Sequence, residues 1–266
     1  MNKQQRVIVS FSGGKDSTAM LLRMIELGEH IDEVVCCDTY KEFPAMYRHI
    51  EKIKAVVEDA GIKFTMLKND KSFDYLMFEH KVNRKNKELD RLLGYSWADS
   101  RSRWCTTLLK TNLIDRYFSD MRKKYDVIQC VGIATDEQYR LKRDGNKRDD
   151  KRHPLVEWGW SEQDALNYCY EHGYDWEGLY ELFGRVSCWC CPLKSLEELR
   201  TLYNLFPELW EELKDMDNRT WRKFKKEYSV EELEVRFNLE KEFEEQDKSI
   251  RSKEFYGELK NRLNNN

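Results

Sequence analysis

Short apolar runs alternate, along the first half of the chain, with longer stretches whose apolar residues recur at helical spacing. The run Val7-Ile8-Val9 makes residues 6–11 a strand, and residues 15–28 read as a helix closed by Gly28. Val34-Val35-Cys36-Cys37 predicts a second strand, and 44–60 a helix opened by Pro44 and closed by Gly61. Lys63 to Leu67 reads as a third strand. A charged, irregular stretch follows around 80–103, then a helix over 106–124 and a fourth strand from Val127 to Ile133. Short buried strands alternating with helices predict an α/β fold, a doubly wound and mostly parallel sheet covered on both faces. Ligands in such folds sit beyond the carboxyl ends of the strands.

Beyond about residue 195 the pattern changes to charged helices with apolar stripes, such as Leu196, Leu199, Leu202, Tyr203 and Leu205. The sequence therefore divides into an α/β domain over 1–195 and a helical C-terminal extension over 196–266. Trp210, Trp221, Phe224, Tyr228 and Phe237 recur near helical spacing and read as core or partner-facing residues rather than a base-stacking platform.

Composition sharpens this picture at few points. Of 266 residues 40% are hydrophobic and 13% aromatic, enough for a substantial core. Charged residues make up 36% of the chain and the mean hydropathy is -0.82, so the surface is densely charged. The formal net charge is only -3, so bulk charge gives no reason to expect a nucleic-acid binder. No apolar run is long enough for a membrane span, and the opening residues lack the apolar stretch of a secretory signal. The expectation is a cytoplasmic protein without membrane contact, whose eight cysteines are thiols rather than disulfides.

Ser10-Phe11-Ser12-Gly13-Gly14-Lys15-Asp16-Ser17-Thr18 is the most informative segment. A strand, a glycine turn and a helix N-terminus aim several backbone N–H groups and the positive end of a helix at one small volume, which suits a phosphate. Gly13 and Gly14 let the backbone approach an anion, Ser12 and Ser17 add hydroxyls, and Lys15 adds a charge. The segment is not a Walker A loop, because Val9 and Asp16 stand where that pattern needs Gly and Ser or Thr.

The loop resembles the Ser-Gly-Gly-x-Asp-Ser PP-loop of N-type ATP pyrophosphatases. Further segments in the same order resemble the phosphoadenylyl-sulfate (PAPS) reductase and ATP sulfurylase branch of that superfamily. They are Asp38-Thr39 through Glu42-Phe43-Pro44, Arg103-Trp104-Cys105-Thr106 through Lys110, and Gly132-Ile133-Ala134-Thr135-Asp136-Glu137 with Arg140. His153-Pro154-Leu155 with Trp158 to Asp164, and Cys188-Trp189-Cys190-Cys191-Pro192, complete the set. The resemblance covers roughly residues 5–195. Ala134 departs from it by replacing the usual arginine, and Trp104-Cys105 stands where cluster-bearing reductases carry two adjacent cysteines.

The resemblance implies ATP and Mg²⁺ as ligands. Ser10, Ser12, Gly13, Gly14, Ser17, Asp38, Thr39 and Gly132 would bind the nucleotide, and Lys15, Asp16, Asp136 and Arg140 would act in catalysis. Cys188 and Cys191 have the spacing that lets two thiolates share a metal, and Cys105 opens a helix N-terminus that favours a thiolate. With Cys190 as a candidate fourth ligand, the set suits a [4Fe-4S] cluster or, alternatively, Zn²⁺. Cys36, Cys37, Cys130 and Cys169 read as buried hydrophobes. The cations Arg140, Lys142, Arg143, Lys147, Arg148, Lys151, Arg152 and His153 read as a solvated loop or as a lid over an anionic substrate. Arg140 and Arg152 are its first candidates for phosphate, and Arg185 a further one.

Three functions fit. The first is ATP cleavage to AMP and pyrophosphate that adenylates an acceptor for sulfur transfer, the acceptor being unidentified and nucleic acid one candidate. The second is sulfonucleotide reduction, against which stands the lack of any cysteine after Cys191. The third is a non-enzymatic nucleotide-binding module docking a partner protein, or a second copy of itself, through the C-terminal helices.

Overall fold

Three consecutive residues in each of two neighbouring strands, Val7-Ile8-Val9 and Val34-Val35-Cys36, are almost all removed from solvent. Adjacent side chains in a strand point to opposite faces, so this burial means that both faces of the sheet are covered. In the computed structural model, which describes residues 3–84, 87–142 and 148–265, five parallel strands form one sheet in the order β3-β2-β1-β4-β5. The strands are β1 (Gln5–Phe11), β2 (Glu33–Cys37), β3 (Lys63–Leu67), β4 (Asp126–Val131) and β5 (Lys151–Arg152).

The chain forms two compact units. The first comprises Met1–Asp70 and Cys105–Cys188 and contains the sheet. Helix α1 (Lys15–Glu26) follows β1 directly, and α2 (Pro44–Asp59) carries Pro44 in its first turn, where a missing N–H costs nothing. A helical run opens at Trp104–Thr106, passes through a π-helical turn at Thr107–Thr111 and continues as α3 (Asn112–Lys124). On one face of the sheet Phe118 of α3 packs with Ile8, Val35 and Val127. Short helices α4 (Gln138–Leu141) and α5 (Pro154–Glu157) precede α6 (Glu162–Glu171), which packs against α1. A capping box between Ser161 and Asp164 starts α6, and α7 (Leu179–Leu182) follows a turn at Trp176–Gly178.

The strand order reverses its direction of growth at β1. The chain builds outward through β2 and β3, then returns to lay β4 on the other side of β1. The loops leaving the carboxyl ends of β1 and β4 therefore diverge and open a crevice between them. The fourth strand ends at Val131, two residues short of the sequence expectation, because Gly132 begins the turn into that crevice. β5, only two residues long, lies inside the cation-rich stretch that the sequence reads as a loop.

The second unit joins Lys71–Trp104 to Trp189–Asn266. Its helices are α8 (Leu196–Leu205), α9 (Pro207–Asn218), α10 (Val230–Glu245) and α11 (Lys253–Asn264). Capping boxes at Ser195/Glu198 and Ser229/Glu232 set the starts of α8 and α10. The described residues of the irregular 80–103 region are anchored in this unit rather than left loose. Trp97 is buried, donates from Nε1 to Asp217 Oδ1 at 2.7 Å, and meets Phe224 edge-on at 4.9 Å. Arg84 collects the carbonyl oxygens of Leu89, Leu92 and Gly94. The sequence draws its division at 195/196, whereas these contacts group 71–104 with the C-terminal helices. No helix among the described residues is long and apolar enough to cross a membrane.

Candidate functional site

The glycine turn between β1 and α1 is shaped by contacts that no other residue type allows. Gly13 has φ +78, and a Cβ there would lie 2.8 Å from Met46 Sδ and 2.9 Å from Ile50 Cγ1 on α2. Trp176 Nε1 donates to the Gly13 carbonyl at 2.8 Å, which fixes the peptide orientation. Gly14 is the N-cap of α1, so the first-turn amides of Lys15, Asp16 and Ser17 lack helical partners and face the crevice end of the helix. Ser17 Oγ donates to Gly14 O at 3.0 Å and accepts from Ser12 N at 3.1 Å, closing the turn on itself. The Lys15 amide donates to the Tyr180 hydroxyl at 2.9 Å. On the opposite wall, a Cβ on Gly132 would sit 2.9 Å from Ser17 N and 3.0 Å from the Asp16 carbonyl, so β4 approaches the turn backbone to backbone.

These groups line a cavity of about 470 Å³ beyond the carboxyl ends of β1 and β4. Its charged lining comprises Lys15, Lys110, Arg140 and Arg185, together with Asp16, Glu42, Glu137 and Glu162. Among the described residues, one group of three metal-binding side chains converges, with ligand atoms of Asp16, Glu137 and Glu162 within 4.8 Å of one another. The Lys15 ammonium lies 2.8 Å from Asp16 and 3.1 Å from Glu162. Burial raises the Asp16 carboxyl above its ordinary value, and the Lys15 ammonium offsets only part of that cost. Arg140 Nη1 donates to both oxygens of Glu137 at 2.6 Å. Carboxylate oxygens gathered this way suit a hard divalent cation, and the loop amides suit the anion it would accompany. A smaller cavity of about 240 Å³ adjoins Ser10, Phe11, Cys37, Gln129 and Gly132 at the strand ends.

Of the residues the sequence singles out, Ser12, Gly14, Lys15, Asp16, Ser17, Gly132, Arg140 and Arg185 line the larger cavity. Ser10 lines the smaller one and accepts from Gln129 Nε2 at 2.8 Å, tying β1 to β4. Asp38 and Thr39 are buried but otherwise engaged. Asp38 holds the Tyr40 amide at 2.7 Å, the Tyr47 hydroxyl at 2.9 Å and the Lys68 ammonium at 3.0 Å; Thr39 donates to Glu42 at 2.9 Å. Asp136 accepts from the Glu162 amide at 3.0 Å, at the N-terminus of α6. Arg152 is paired with Glu29 at 2.7 Å and Glu157 at 2.6 Å, which leaves Arg140 and Arg185 as the cavity-lining members of the predicted phosphate set. Arg143 and Lys147 lie outside the described residues.

Among the polar lining residues given no role from the sequence are Glu42, Lys110, Glu137, Glu162 and Tyr180. Glu42, Lys110 and Glu137 lie inside the motif segments already quoted, next to the residues given roles. Glu162 follows the Ser161 cap inside the quoted Trp158 to Asp164 segment, whereas Tyr180 follows the Trp176–Gly178 turn and carries no pattern that marks it.

The eight cysteines are free thiols that fall into two groups. Burial pushes Cys36, Cys130 and Cys169 up to about 12, so these remain protonated thiols in the core. Cys37 is half-buried rather than buried, and is raised to about 11 by the same effect. Cys105, Cys188 and Cys191 are half-buried and Cys190 is buried. Cys188 Sγ lies 3.6 Å from both Thr39 Oγ1 and Glu42 Oε1. Cys105 and Cys188 belong to the first unit, Cys190 and Cys191 to the second.

A doubly wound parallel sheet with a glycine turn and helix N-terminus at its switch point defines the nucleotide-binding class of α/β proteins. Within that class the chain belongs to the phosphoadenosine phosphosulfate reductase domain family, whose sequence profile matches residues 6–194. Two uncharacterized proteins of Methanocaldococcus jannaschii are similar to it. MJ0066 is 28% identical over 221 residues, covering 77% of this chain and 40% of its own length. MJ0973 is 24% identical over 221 residues, covering 82% of this chain and 49% of its own. The chain thus spans less than half the length of these relatives. The U34-tRNA thiolase NcsA from Methanococcus maripaludis, solved with its [4Fe-4S] cluster, matches with TM-score 0.39 at 13% identity over 82% of this chain and 72% of its own. A likeness that distant bears on neither ligand nor activity.

Proposed function

We propose that the crevice binds ATP with a divalent cation and cleaves it between the α- and β-phosphates to adenylate an acceptor for sulfur transfer. The observation that carries this reading is the convergence, in one cavity, of the α1 N-terminus, Lys15, Arg140 and Arg185 with the carboxylates of Asp16, Glu137 and Glu162. Four cations and four carboxylates nearly cancel, so the lining favours a polyphosphate that brings its own metal over a bare one. Asp16, Glu137 and Glu162 would hold Mg²⁺, which would supply charge neutralisation on the phosphates.

In this reading the amides of the α1 first turn and the Ser17 hydroxyl bind the β- and γ-phosphates, while Lys15 and Arg140 stabilise the charge that develops on the departing pyrophosphate. An acceptor oxygen attacks the α-phosphorus, the bond from that phosphorus to the bridging oxygen breaks, and pyrophosphate leaves with the electron pair. A sulfur nucleophile then attacks the acceptor carbon, the carbon–oxygen bond breaks, and AMP departs. The chain's contribution is positioning and electrostatics.

Thiolates are soft metal ligands, and Cys105, Cys188 and Cys191 are half-buried, in contrast to the buried thiols of Cys36, Cys130 and Cys169. We propose that these thiols and Cys190 serve as soft-metal ligands, for iron in a [4Fe-4S] cluster or, alternatively, for Zn²⁺. When bound, such a cluster would supply an iron with affinity for sulfur.

Pyrophosphate release from ATP by the purified protein tests the reading, with Asp16→Ala as the inactive control. Sulfite formation from PAPS with a dithiol reductant, without pyrophosphate release from ATP, would replace it with sulfonucleotide reduction, which the family match alone favours.

A further inference from the structure

The second unit holds a cavity of about 610 Å³ between residues 98–101 and 222–226, remote in sequence from the glycine turn. Its lining carries Arg101, Arg222, Lys223, Lys225 and Lys226 against a single acid, Asp99. The chain as a whole is slightly acidic, so this is a local concentration of positive charge.

Neutralisation is incomplete. Arg222 donates to Asp99 at 2.8 Å, and Lys223 pairs with Glu232 at 2.6 Å. The Lys225 ammonium donates to the carbonyls of Pro192 at 2.8 Å and Lys194 at 2.6 Å, which bind it without cancelling its charge. Arg101 and Lys226 are exposed, and neither side chain has a partner among the described residues. Net positive charge therefore remains around the cavity, although Glu227 and Glu198 also act on Lys225.

The segment that presents them is irregular in backbone yet firmly held. Phe224 is buried against Trp97, Thr220 Oγ1 donates to Asp217 O at 2.9 Å, and Lys225 N donates to Tyr228 O at 2.8 Å. Half-buried Trp221 carries the guanidinium of Arg222 at 5.0 Å and that of Arg84 at 5.3 Å from its ring centre. Cations spaced around an open cavity, next to an indole with stacked guanidiniums, match a chain of phosphates carrying flat bases better than one small anion.

We propose that this cavity is a docking site for the backbone of single-stranded nucleic acid.

Fluorescence anisotropy with a labelled oligouridylate of about twenty nucleotides and no ATP tests it, at salt from ~50 to ~300 mM. Binding should weaken with salt, with a logarithmic slope near −2 for about three phosphate contacts. Arg101→Gln/Lys226→Gln changes only exposed side chains and should flatten that slope by about 1.4 while the fold is retained by circular dichroism. An unchanged slope and affinity in the double variant overturns the proposal, as does absence of binding at the lowest salt. Equal binding of polyglutamate would overturn it in favour of an acidic protein partner. Because ATP is absent, failure here leaves pyrophosphate release untouched, and failure of pyrophosphate release leaves the docking result standing.

Discussion

Tyr180 offers a direct probe of where the anion sits. Its hydroxyl accepts the Lys15 amide at 2.9 Å, and a Cβ on Gly14 would lie 3.3 Å from the same oxygen. That oxygen occupies the position an anionic phosphate oxygen must take to use the first amide of α1. The ring is braced edge-on by Trp176 at 4.8 Å, so the hydroxyl holds this position before any ligand arrives. Binding a phosphate at the Lys15 amide then requires breaking a hydrogen bond worth about 0.5–1.5 kcal/mol. Tyr180→Phe removes the competitor, and ATP should bind about two- to tenfold more tightly. The same change should lower unliganded stability by up to about 1 kcal/mol, because an open cavity lets water replace the lost acceptor. Calorimetric titration with ATP and Mg²⁺ measures the first effect, and urea denaturation the second. Unchanged affinity would mean that the Lys15 amide is not part of the anion site. Weaker binding would mean that the phenol donates to the nucleotide instead of standing in for it. Either result refutes the competition argument.

Gly132→Ala places a methyl about 3 Å from backbone atoms of Ser17 and Asp16 on the facing wall, with no flexible side chain to yield. It should cost about 1–3 kcal/mol in urea denaturation and lower ATP affinity by moving the turn. His49 is pushed down to about 4 from 6.5 by burial, with Lys52 adding to the effect. Between those values the unfolded chain takes up a proton that the folded one refuses, so stability rises with pH across this window and falls by up to about 3 kcal/mol on acidification. Unfolding at stepped pH should show this slope in the wild type and lose it in His49→Gln. Asp16→Asn should abolish cation-dependent pyrophosphate release at unchanged thermal stability, and retained turnover would remove Asp16 from the cation site. Cys191→Ser should lose bound iron or zinc by elemental analysis while still binding ATP, and unchanged metal content would take it out of the ligand set.

The parallel sheet is legible in the chain because its strands are short β-branched or cysteine runs that need cover on both faces. Helices α1 and α2 are bracketed by turn chemistry: Gly28 lies just past the end of one at φ +66, and Pro44 opens the other. What stays hidden is structure held by single long-range contacts. Region 80–103 has no periodicity, yet the indole of Trp97 and the guanidinium fork of Arg84 tie its described residues down through partners that local sequence cannot announce. β5 is equally silent, since two residues within a run of cations give no alternation to read.

The site divides along a similar line. Motif spacing finds the glycine turn, whose function follows from its own backbone, but spacing does not tell Asp136 from Glu137. The short helical turn at Thr135–Glu137 separates them: Glu137 is buried in the cavity wall, while Asp136 reaches α6 and accepts the Glu162 amide. That hydrogen bond satisfies an orphan donor at the start of α6 and fixes the residue whose carboxylate then meets Asp16 and Glu137. Asp136 therefore touches Glu162 rather than the cavity, and the acidic pair contributes both a wall and the brace that sets the opposite wall.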